Sequence, residues 1–348
     1  MIIAGAPDLL TPDWLSEALG TAVTGVTAKA VGTGQMSQSA RLTLTYDRPG
    51  AGPPTVIAKF PAADPTSRGT ALQLRSYEIE VRFYQQLAPA LPMRTPRALY
   101  TDIDVTTGSF ILLLEDMTPA QPGDQLAGCS PDEAAVAVLE LVGLHAPRWG
   151  SRALSELEWL HRDPEASKAG YIMGMPLLWA GFCDRYADRI GSDVRRVGEA
   201  LFGDLETFLG RDTRPWTVVH GDYRLDNLLF GASEADPIAV VDWQTCAHGP
   251  ALSDVAYFIG AGLLTDARRE HESRLVRDYH AHLLDAGVEG YDWDRCWRDY
   301  RRGTVSGLIM AVGASMLVER TERGDDMFMA MAHRHAAHAI DLDAPAIF

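Results

Sequence analysis

The sequence predicts a two-lobed α+β fold, in which a small antiparallel sheet with one main helix precedes a larger, mostly helical lobe. Its 348 residues indicate two domains, at roughly 150 residues per domain. Alternating apolar and polar residues are concentrated before residue 115, and helical spacing dominates after Pro131. We therefore expect one lobe over residues 1–114 and a second over residues 120–348.

The elements of the first lobe can be assigned in order. Thr11 and Pro12 are a capping residue and a first-turn proline, and they predict a short helix that runs to Leu19. β-Branched or alternating runs predict five strands, at residues 23–31, 40–46, 55–60, 97–104 and 109–114. Residues 68–88 carry apolar side chains at helical spacing and predict the main helix of this lobe.

The second lobe is chiefly helical. Six segments have the length and spacing of long helices, at residues 131–145, 194–209, 253–263, 266–286, 293–318 and 325–341. Three short apolar runs between them predict strands, at residues 217–219, 227–230 and 238–241. We expect further helices over about 147–210. Residues 115–119 form the predicted connection between the lobes.

Composition excludes several classes of protein. The chain has 31 Lys and Arg against 47 Asp and Glu, a formal charge of −16, and it has no basic run. A chain this acidic is a poor candidate for binding nucleic acid or an anionic membrane, because both carry negative charge. The four cysteines lie far apart, which argues against a zinc ribbon or a disulfide framework.

The same features predict a cytoplasmic protein. The first ten residues, MIIAGAPDLL, have no basic region ahead of their short apolar run, so we expect no signal peptide. The longest uncharged apolar stretch covers 12 residues, from Gly307 to Val318. A membrane-spanning helix needs about 20.

The densest chemical signal is the run from Val219 to Phe230, VHGDYRLDNLLF. In it Asp222 stands five residues before Asn227, between two short apolar runs, and Asp242 follows 20 residues after Asp222 at the end of another apolar run. Phosphoryl transfer needs one carboxylate to receive or orient the proton of the acceptor hydroxyl. It also needs an amide oxygen and a second carboxylate to hold Mg²⁺, which prefers oxygen ligands. Asp222 fits the first role, and Asn227 with Asp242 fit the second.

These residues resemble a known family, the aminoglycoside phosphotransferases and choline kinase-like enzymes, and most of all its ecdysteroid-kinase-like branch. The resemblance lies in the runs His220 to Phe230 and Asp242 to Gln244, and it extends over nearly the whole chain. It implies the bilobal fold of protein kinases, with ATP and Mg²⁺ as cofactors and the hydroxyl of a small molecule as acceptor. His220 would then hold the loop around Asp222 through a hydrogen bond of its ring.

A glycine-rich turn between the first two strands fits the phosphate-binding part of such a fold. Its residues are Gly32, Thr33, Gly34, Gln35, Met36 and Ser37. Glycines allow backbone N–H groups to approach phosphate closely. The turn lacks the third glycine and following helix of a dinucleotide-binding fingerprint, and the chain has no Walker A sequence. We expect Gly32, Gly34, Gln35 and Ser37 to contact the nucleotide, although an ordinary hairpin turn is the simpler alternative.

A lysine and a glutamate complete the expected nucleotide site. Lys59 closes a predicted strand and fits the lysine that binds the α- and β-phosphates. Glu80, in the following helix, would be its partner according to the Glu-x-x-Phe-Tyr pattern of the family. Glu78 lies about 200° away around the helix, so only one of the two can face inward. Glu115 and Met117, in the predicted hinge, would present their backbone to the adenine edge.

Arg224 has two interpretations. It lies two residues after Asp222, where it could stabilise charge on the transferred phosphoryl group, or it could form a structural ion pair. The histidines at 333, 335 and 338, near Asp341, are poorly spaced for a metal site on one helix and favour a solvated face. The methionines at 327, 329 and 331 are predicted to fill core.

The acceptor is expected to be a small molecule. Only 12 residues separate Asp242 from Asp254, too few for a phosphorylatable activation segment, and about 100 residues separate Met117 from His220. The helices at about 147–210 would bind the acceptor. Residues 118–210 hold 14 acidic and 8 basic residues and several aromatics, so a polyamine, a bulky alcohol and a quaternary ammonium all stay open.

Two other functions share this fold. A pseudokinase that binds nucleotide as a scaffold would lack a metal ligand or the base, yet every such position is filled here. An enzyme that transfers AMP to a protein would retain the same residues and differ in its product.

Overall fold

The chain folds into two units, and no single cut in the sequence separates them. A computed structural model describes residues 3–32, 36–161, 164–231, 233 and 237–344. Unit 1 covers 1–90, 95–119 and 241–245, and unit 2 covers 91–94, 120–240 and 246–348. The short segment 241–245 therefore belongs with the first part of the chain, although it follows 121 residues of unit 2.

Unit 1 is built on a five-stranded antiparallel sheet in the order β1-β2-β3-β5-β4. Its strands are β1 (Val23–Val31), β2 (Ser37–Tyr46), β3 (Thr55–Pro61), β4 (Ala98–Asp104) and β5 (Ser109–Glu115). The alternating apolar residues of β2 and β3 enter one core with the first helix, α1 (Pro12–Leu19). The side chain of Thr11 caps α1 by accepting a hydrogen bond from the Trp14 N–H, as the sequence predicted.

The main helix of unit 1 differs from its prediction. Instead of one helix over 68–88, the chain forms α2 (Pro65–Gln73) and α3 (Ser76–Gln86), separated at Arg75 with φ of 59°. Leu72 and Leu74, which contributed to the predicted helical spacing, are both exposed. The helical spacing of apolar residues over 68–88 therefore extended across two separate helices, whose apolar residues do not lie on one common face.

Unit 2 is mostly helical. Its helices are α4 (Pro131–His145), α5 (Glu158–His161), α6 (Pro164–Arg185), α7 (Ser192–Gly203), α8 (Leu205–Gly210), α9 (Leu252–Gly262), α10 (Thr265–Asp285), α11 (Trp293–Gly303), α12 (Ser306–Leu317) and α13 (Glu322–Asp341). Its short strands are β6 (Gln121–Pro122), β7 (Thr217–Val219), β8 (Leu228–Phe230), β9 (Ile238–Val240) and β10 (Ala247–Gly249). They pair as β6-β8-β9 and β10-β7. The predicted α+β class is confirmed.

Two predicted long helices are broken. The one expected over 194–209 divides at Asp204, which caps α8 by accepting a hydrogen bond from the Thr207 N–H. The one expected over 293–318 divides between α11 and α12, where Thr304 and Val305 separate them. In both cases the apolar residues keep their helical spacing across the break. The periodicity of apolar residues alone could therefore not locate the break.

The histidines of α13 contradict the prediction of a solvated face. His335 and His338 are fully buried, and only His333 of the three is exposed. The error arose because the other helices that cover α13 were unknown from sequence. Met327, Met329 and Met331 are buried core residues, as predicted. No cluster of three or more metal-ligating side chains occurs in the described part of the chain.

The length and polarity of the helices can be compared with those that a membrane-spanning helix needs. Among the described residues, every helix is too short or too polar to cross a bilayer.

Candidate active site

An ionic cluster in unit 1 contains two predicted nucleotide-site residues, Lys59 and Glu80, and one predicted magnesium ligand, Asp242. The ammonium of Lys59 lies 2.7 Å from Glu80 Oε1 and 2.7 Å from Asp242 Oδ1. Glu78, the alternative partner, instead pairs with Arg75 at 3.0 Å. The inward-facing glutamate of α3 is therefore Glu80.

Three different elements hold this cluster in place. Lys59 lies in β3, the central strand, where Ser39 and Leu112 pair with it from either side. Glu80 faces inward from α3 and is buried. Asp242 has a positive φ of 67°. This conformation is uncommon for a residue other than glycine, and such strain is often found at functional sites.

Burial and charge shift the pKa values of the cluster in a consistent way. Burial alone would lower the pKa of Lys59, but the negative charges of Asp242 and Glu80 more than offset it and raise this pKa. Burial raises the pKa of Glu80, and the charge of Asp242 adds to the effect. The ammonium group of Lys59 thus pairs with two carboxylates, and it stays protonated at neutral pH.

Trp243 supports the cluster, a role that the sequence did not reveal. Its ring stacks on Phe83 with centroids 3.8 Å apart, and its backbone N–H donates to Glu80 Oε1 at 3.3 Å. Gln244 donates to Asp242 Oδ2 at 3.3 Å. The residues after Asp242 therefore anchor that segment on α3.

The remaining predicted nucleotide contacts belong to the glycine-rich turn and to the predicted hinge. Gly34 and Gln35 lie outside the described residues. Gly32 has a φ of 77°, a conformation that favours glycine, and Ser37 is buried at the start of β2 opposite Pro61. Glu115 ends β5 and accepts a hydrogen bond from the Arg97 N–H, and Met117 is buried two residues later.

In unit 2, the loop between β7 and β8 surrounds Asp222 with hydrogen-bond donors. The Tyr257 hydroxyl donates to Oδ1 at 2.6 Å. Arg224 Nε and Asn227 Nδ2 both donate to Oδ2, each at 3.1 Å. Asn227 Nδ2 also reaches the Asp222 carbonyl at 2.9 Å. This carboxylate is therefore held at both oxygen atoms.

The backbone of the same loop is held by two buried side chains. Asp254 accepts hydrogen bonds from the N–H groups of His220 at 2.6 Å and Gly221 at 3.0 Å. His220 Nδ1 accepts from the Asp222 N–H at 3.2 Å, the loop contact expected of this ring. Gly221 has a φ of 82°, which a residue with a side chain would adopt only under strain.

Arg224 forms ion pairs with two carboxylates. Besides Asp222, its Nη1 contacts Asp226 Oδ2 at 2.6 Å. Burial alone would lower the pKa of Arg224, but Asp222, together with Tyr257 and Asp226, outweighs burial and raises this pKa. The guanidinium thus pairs with two carboxylates of its own loop, the geometry of a structural ion pair, and its Nη1 also contacts Met327 Sδ in α13. A role toward a transferred phosphoryl group stays a prediction.

Sequence reasoning missed two residues that contact this loop. Tyr257, in α9, lies 35 residues from Asp222, and Gln125 lies 100 residues before Leu225. Gln125 is buried, accepts from the Leu225 N–H at 3.0 Å, and donates to the Ala261 carbonyl at 2.9 Å. No local pattern marks either residue, because their roles depend on contacts far apart in sequence.

The predicted magnesium ligands offer the right donor atoms. The amide nitrogen of Asn227 is bound to Asp222, and in the described part of the chain its Oδ1 accepts no hydrogen bond, so this oxygen can bind a cation. Asp242 supplies a carboxylate. Oxygen-only ligands suit Mg²⁺, which proteins hold with one or two such groups plus substrate phosphates.

Most of the chain matches one known protein family. A family model described as the phosphotransferase enzyme family matches residues 44–301. The chain therefore belongs to the phosphotransferase enzyme family, as the sequence resemblance predicted.

Solved structures share the fold at low identity. Ethanolamine kinase of Plasmodium vivax has a TM-score of 0.55 at 11% identity, over 90% of this chain and 82% of its own. Choline kinase of Cryptosporidium parvum has a TM-score of 0.55 at 11% identity, over 92% and 90%. A thermostable mutant of an aminoglycoside phosphotransferase, in complex with ADP and hygromycin B, has a TM-score of 0.52 at 17% identity, over 96% and 98%. The kinase-like fold is thereby confirmed.

Curated relatives are more similar in sequence but much longer. Acyl-CoA dehydrogenase family member 11 of Gallus gallus is 45% identical over 186 residues, 53% of this chain and 22% of the relative. Its counterpart in Pongo abelii is 49% identical over 137 residues, 38% of this chain and 16% of the relative. The chain spans 5% to 22% of the length of the curated relatives that it matches.

Proposed function

We propose that this protein transfers the γ-phosphoryl group of ATP to a hydroxyl of a small molecule, with Mg²⁺ as cofactor. The observation that carries the proposal is the Asp222 carboxylate, held by donors at both oxygens on the same loop as Asn227. Membership of the phosphotransferase family supports it. Catalysis in this class depends mainly on positioning and on electrostatic stabilisation.

The nucleotide would be held chiefly by unit 1. Lys59 would bind the α- and β-phosphates, with Glu80 holding its ammonium in place. The turn that contains Gly32, Gly34, Gln35 and Ser37 would cover the phosphates. In this proposal residues 1–114 form the nucleotide lobe, and 115–119, with Glu115 and Met117, form the adenine-reading hinge.

Residues 120–348 would form the lobe that carries out transfer. Asp222 accepts the proton of the acceptor hydroxyl, whose oxygen bonds to the γ-phosphorus as the bond to the β–γ bridging oxygen breaks and ADP leaves. Asn227 and Asp242 would hold Mg²⁺, which screens the charge of the phosphate oxygens when bound. Arg224 would hold Asp222, and in the stronger form of the proposal also stabilise the transferred group.

The acceptor that we favour is a hydroxyl-bearing acyl thioester of coenzyme A. The relatives with 45% to 49% identity are named as acyl-CoA dehydrogenases, and a domain joined to such an enzyme is expected to act on related molecules. Helix α6 lies in the proposed acceptor-binding region, 147–210, and carries exposed apolar side chains. Met173 is 76% exposed and Leu177 is 74% exposed. An apolar surface suits an acyl chain better than a polyamine.

Substitution of Asp222 tests this proposal. We expect Asp222→Ala to lower ATP turnover by about 100-fold or more, because it removes the group that takes the proton, while ATP binding is retained. The assay measures ADP release with MgATP and hydroxyacyl-CoA thioesters, amino alcohols or aminoglycosides. Mass spectrometry identifies the phosphorylated product.

The matched control is Asp266→Ala, which removes an exposed carboxylate from α10, outside the proposed acceptor-binding region, and should retain full turnover. Wild-type turnover by Asp222→Ala would overturn the assignment. Transfer of AMP rather than phosphate, or nucleotide binding without turnover by the wild type, would instead identify one of the two alternative functions.

A further inference from the structure

Tyr257 is a buried residue that contacts the proposed base directly. It lies in α9, is almost completely buried, and its hydroxyl is 2.6 Å from Asp222 Oδ1. Other buried tyrosines of unit 2 bind different partners: Tyr223 donates to the Ala137 carbonyl, and Tyr186 donates to Asp325. Among the described residues, Tyr257 alone supplies a hydrogen bond to Oδ1 of Asp222.

The two carboxylate oxygens of Asp222 are held in different ways. Oδ2 receives two donors from its own loop, Arg224 and Asn227. Oδ1 receives its donor from a separate helix. With donors at Oδ2 alone, the carboxylate could still rotate about that oxygen. A third donor, at Oδ1, fixes the plane of the carboxylate. The contact from Tyr257 therefore determines the direction in which Asp222 presents its lone pairs.

Helix α9 brings a second group to the same loop. Asp254 stands three residues before Tyr257, so the two side chains lie on one face of the helix. Asp254 binds the backbone N–H groups of His220 and Gly221. One helix face thus positions both the backbone of the loop and the side chain of Asp222.

We propose that Tyr257 is a positioning residue for the Asp222 carboxylate, and that its hydroxyl sets the orientation in which this carboxylate meets the acceptor hydroxyl. This inference rests on the proposed function. The orientation of the Asp222 carboxylate would then depend on α9 as well as on the loop that contains Asp222.

The hydroxyl of Tyr257 is a dependable donor. Burial raises the pKa of Tyr257 well above its ordinary value, and the negative charge of Asp222 adds to the effect. The proton therefore stays on the tyrosine, and Asp222 is the acceptor in this hydrogen bond. Tyr257 keeps its proton through the reaction, so its contribution is geometric.

The test is Tyr257→Phe, which removes one oxygen atom and keeps the ring. We expect kcat for ATP turnover to fall by about tenfold or more, because a small misplacement of a reacting group is costly. KM for ATP and for the acceptor should stay unchanged, since the ring and the loop backbone are retained. A residue that only stabilised the fold would leave kcat of the folded protein intact.

Tyr291→Phe is the matched control, because it removes a hydrogen bond of 2.9 Å from a buried tyrosine to an aspartate of the same unit. This bond ends on Asp299 in α11 and does not involve the Asp222 carboxylate. We expect the control to lose stability and to keep wild-type kcat. Wild-type kcat in folded Tyr257→Phe, or an equal fall in kcat in both variants, would overturn the inference.

A stability cycle separates this inference from the proposed function. The unfolding equilibrium is measured for the wild type, Tyr257→Phe, Asp222→Ala and the double variant. Loss of the hydrogen bond should increase the unfolding equilibrium constant about fivefold in the wild-type background and have no such effect beside Asp222→Ala. If the wild type turns over no acceptor, this coupling still supports the contact, and strictly additive effects would overturn it.

Discussion

Two buried ionic clusters of unit 2 use nearly the same chemistry. The Asp222 cluster consists of Asp222, Arg224, Asp226 and Tyr257. The Arg268 cluster consists of Arg268, Glu272, Tyr300 and His338. In each, an arginine pairs with a carboxylate, and a tyrosine hydroxyl donates to a carboxylate. Both clusters join residues that are distant in sequence.

The clusters differ in their access to solvent. The side chains of Asp222 and Arg224 are 15% and 18% exposed, whereas those of Arg268 and His338 are completely buried. The first cluster is therefore partly open to solvent, whereas the side chains of Arg268 and His338 are enclosed. The comparison teaches that the residue types of the two clusters do not distinguish a partly exposed cluster from an enclosed one in this chain, and that the folded structure does.

The largest expected effect is the loss of Arg268. Arg268→Met should lower the free energy of unfolding by about 3–5 kcal/mol, because it leaves Glu272 buried without its cation. Urea denaturation measures this loss. Because this cluster is closed to ligands, the folded fraction should keep its ATP turnover.

Arg269 is the control for this variant. It is exposed, lies beside Arg268, and pairs with Asp341, a carboxylate that Arg268 contacts as well. Arg269→Ala should leave the unfolding midpoint unchanged within error, since exposed ion pairs contribute little. Similar losses in both variants would contradict the distinction between the clusters.

A pair of glycines in α12 tests how tightly the Arg268 cluster is enclosed. A side chain at Gly307 would overlap the imidazole of His335, which packs near His338. Gly307→Ala should therefore destabilise the protein by about 1–3 kcal/mol.

Gly313, in the same helix, has nothing nearer to an added Cβ than Met175 Sδ at 3.9 Å. Gly313→Ala should leave stability unchanged or raise it by up to about 1 kcal/mol, because alanine favours helix. Thermal unfolding of both variants gives the comparison. Equal tolerance at the two sites would mean that His335 is not enclosed as described.

The smallest effect is a dependence on pH. Burial lowers the pKa of His335 from 6.5 to about 3, and the nearby His338 adds to the shift. Between these values the unfolded chain binds a proton that the folded chain does not, so stability is complete above pH 6.5 and declines as pH falls. We expect a loss of about 1 kcal/mol between pH 7 and pH 5.5 from this residue.

His335→Gln should reduce this slope, and His333→Gln, at an exposed position, should not. Unfolding in urea at pH 7, 6 and 5.5 measures the difference. The same slope in wild type and His335→Gln would remove His335 as its source.

Local pattern was sufficient for much of the fold. Strand β1 and helix α1 were predicted to the residue, because alternation, a capping threonine and a first-turn proline are local signals. Breaks inside helical patterns, such as that at Arg75, were missed. They depend on which face meets the core, and spacing does not reveal it.

The same division holds for the candidate site. Spacing was enough to single out Asp222 and Asn227, because one short loop between β7 and β8 contains both residues. Asp242 was singled out by its place directly after an apolar run. Spacing left Arg224 undecided between two roles, and the structure places its guanidinium on Asp222 and Asp226. Gln125 and Trp243 were found only through their contacts.

The sequence by itself determined the family and the sheet-then-helix order, and it predicted the loop around Asp222 as the candidate site, since each depends on residues close together in sequence. Tertiary structure alone decided that Tyr257 meets Asp222 and that His335 and His338 are buried. Those outcomes depend on helices that pack together although they lie tens of residues apart in the sequence. Burial and hydrogen bonding at such contacts follow from the folded structure and not from local spacing.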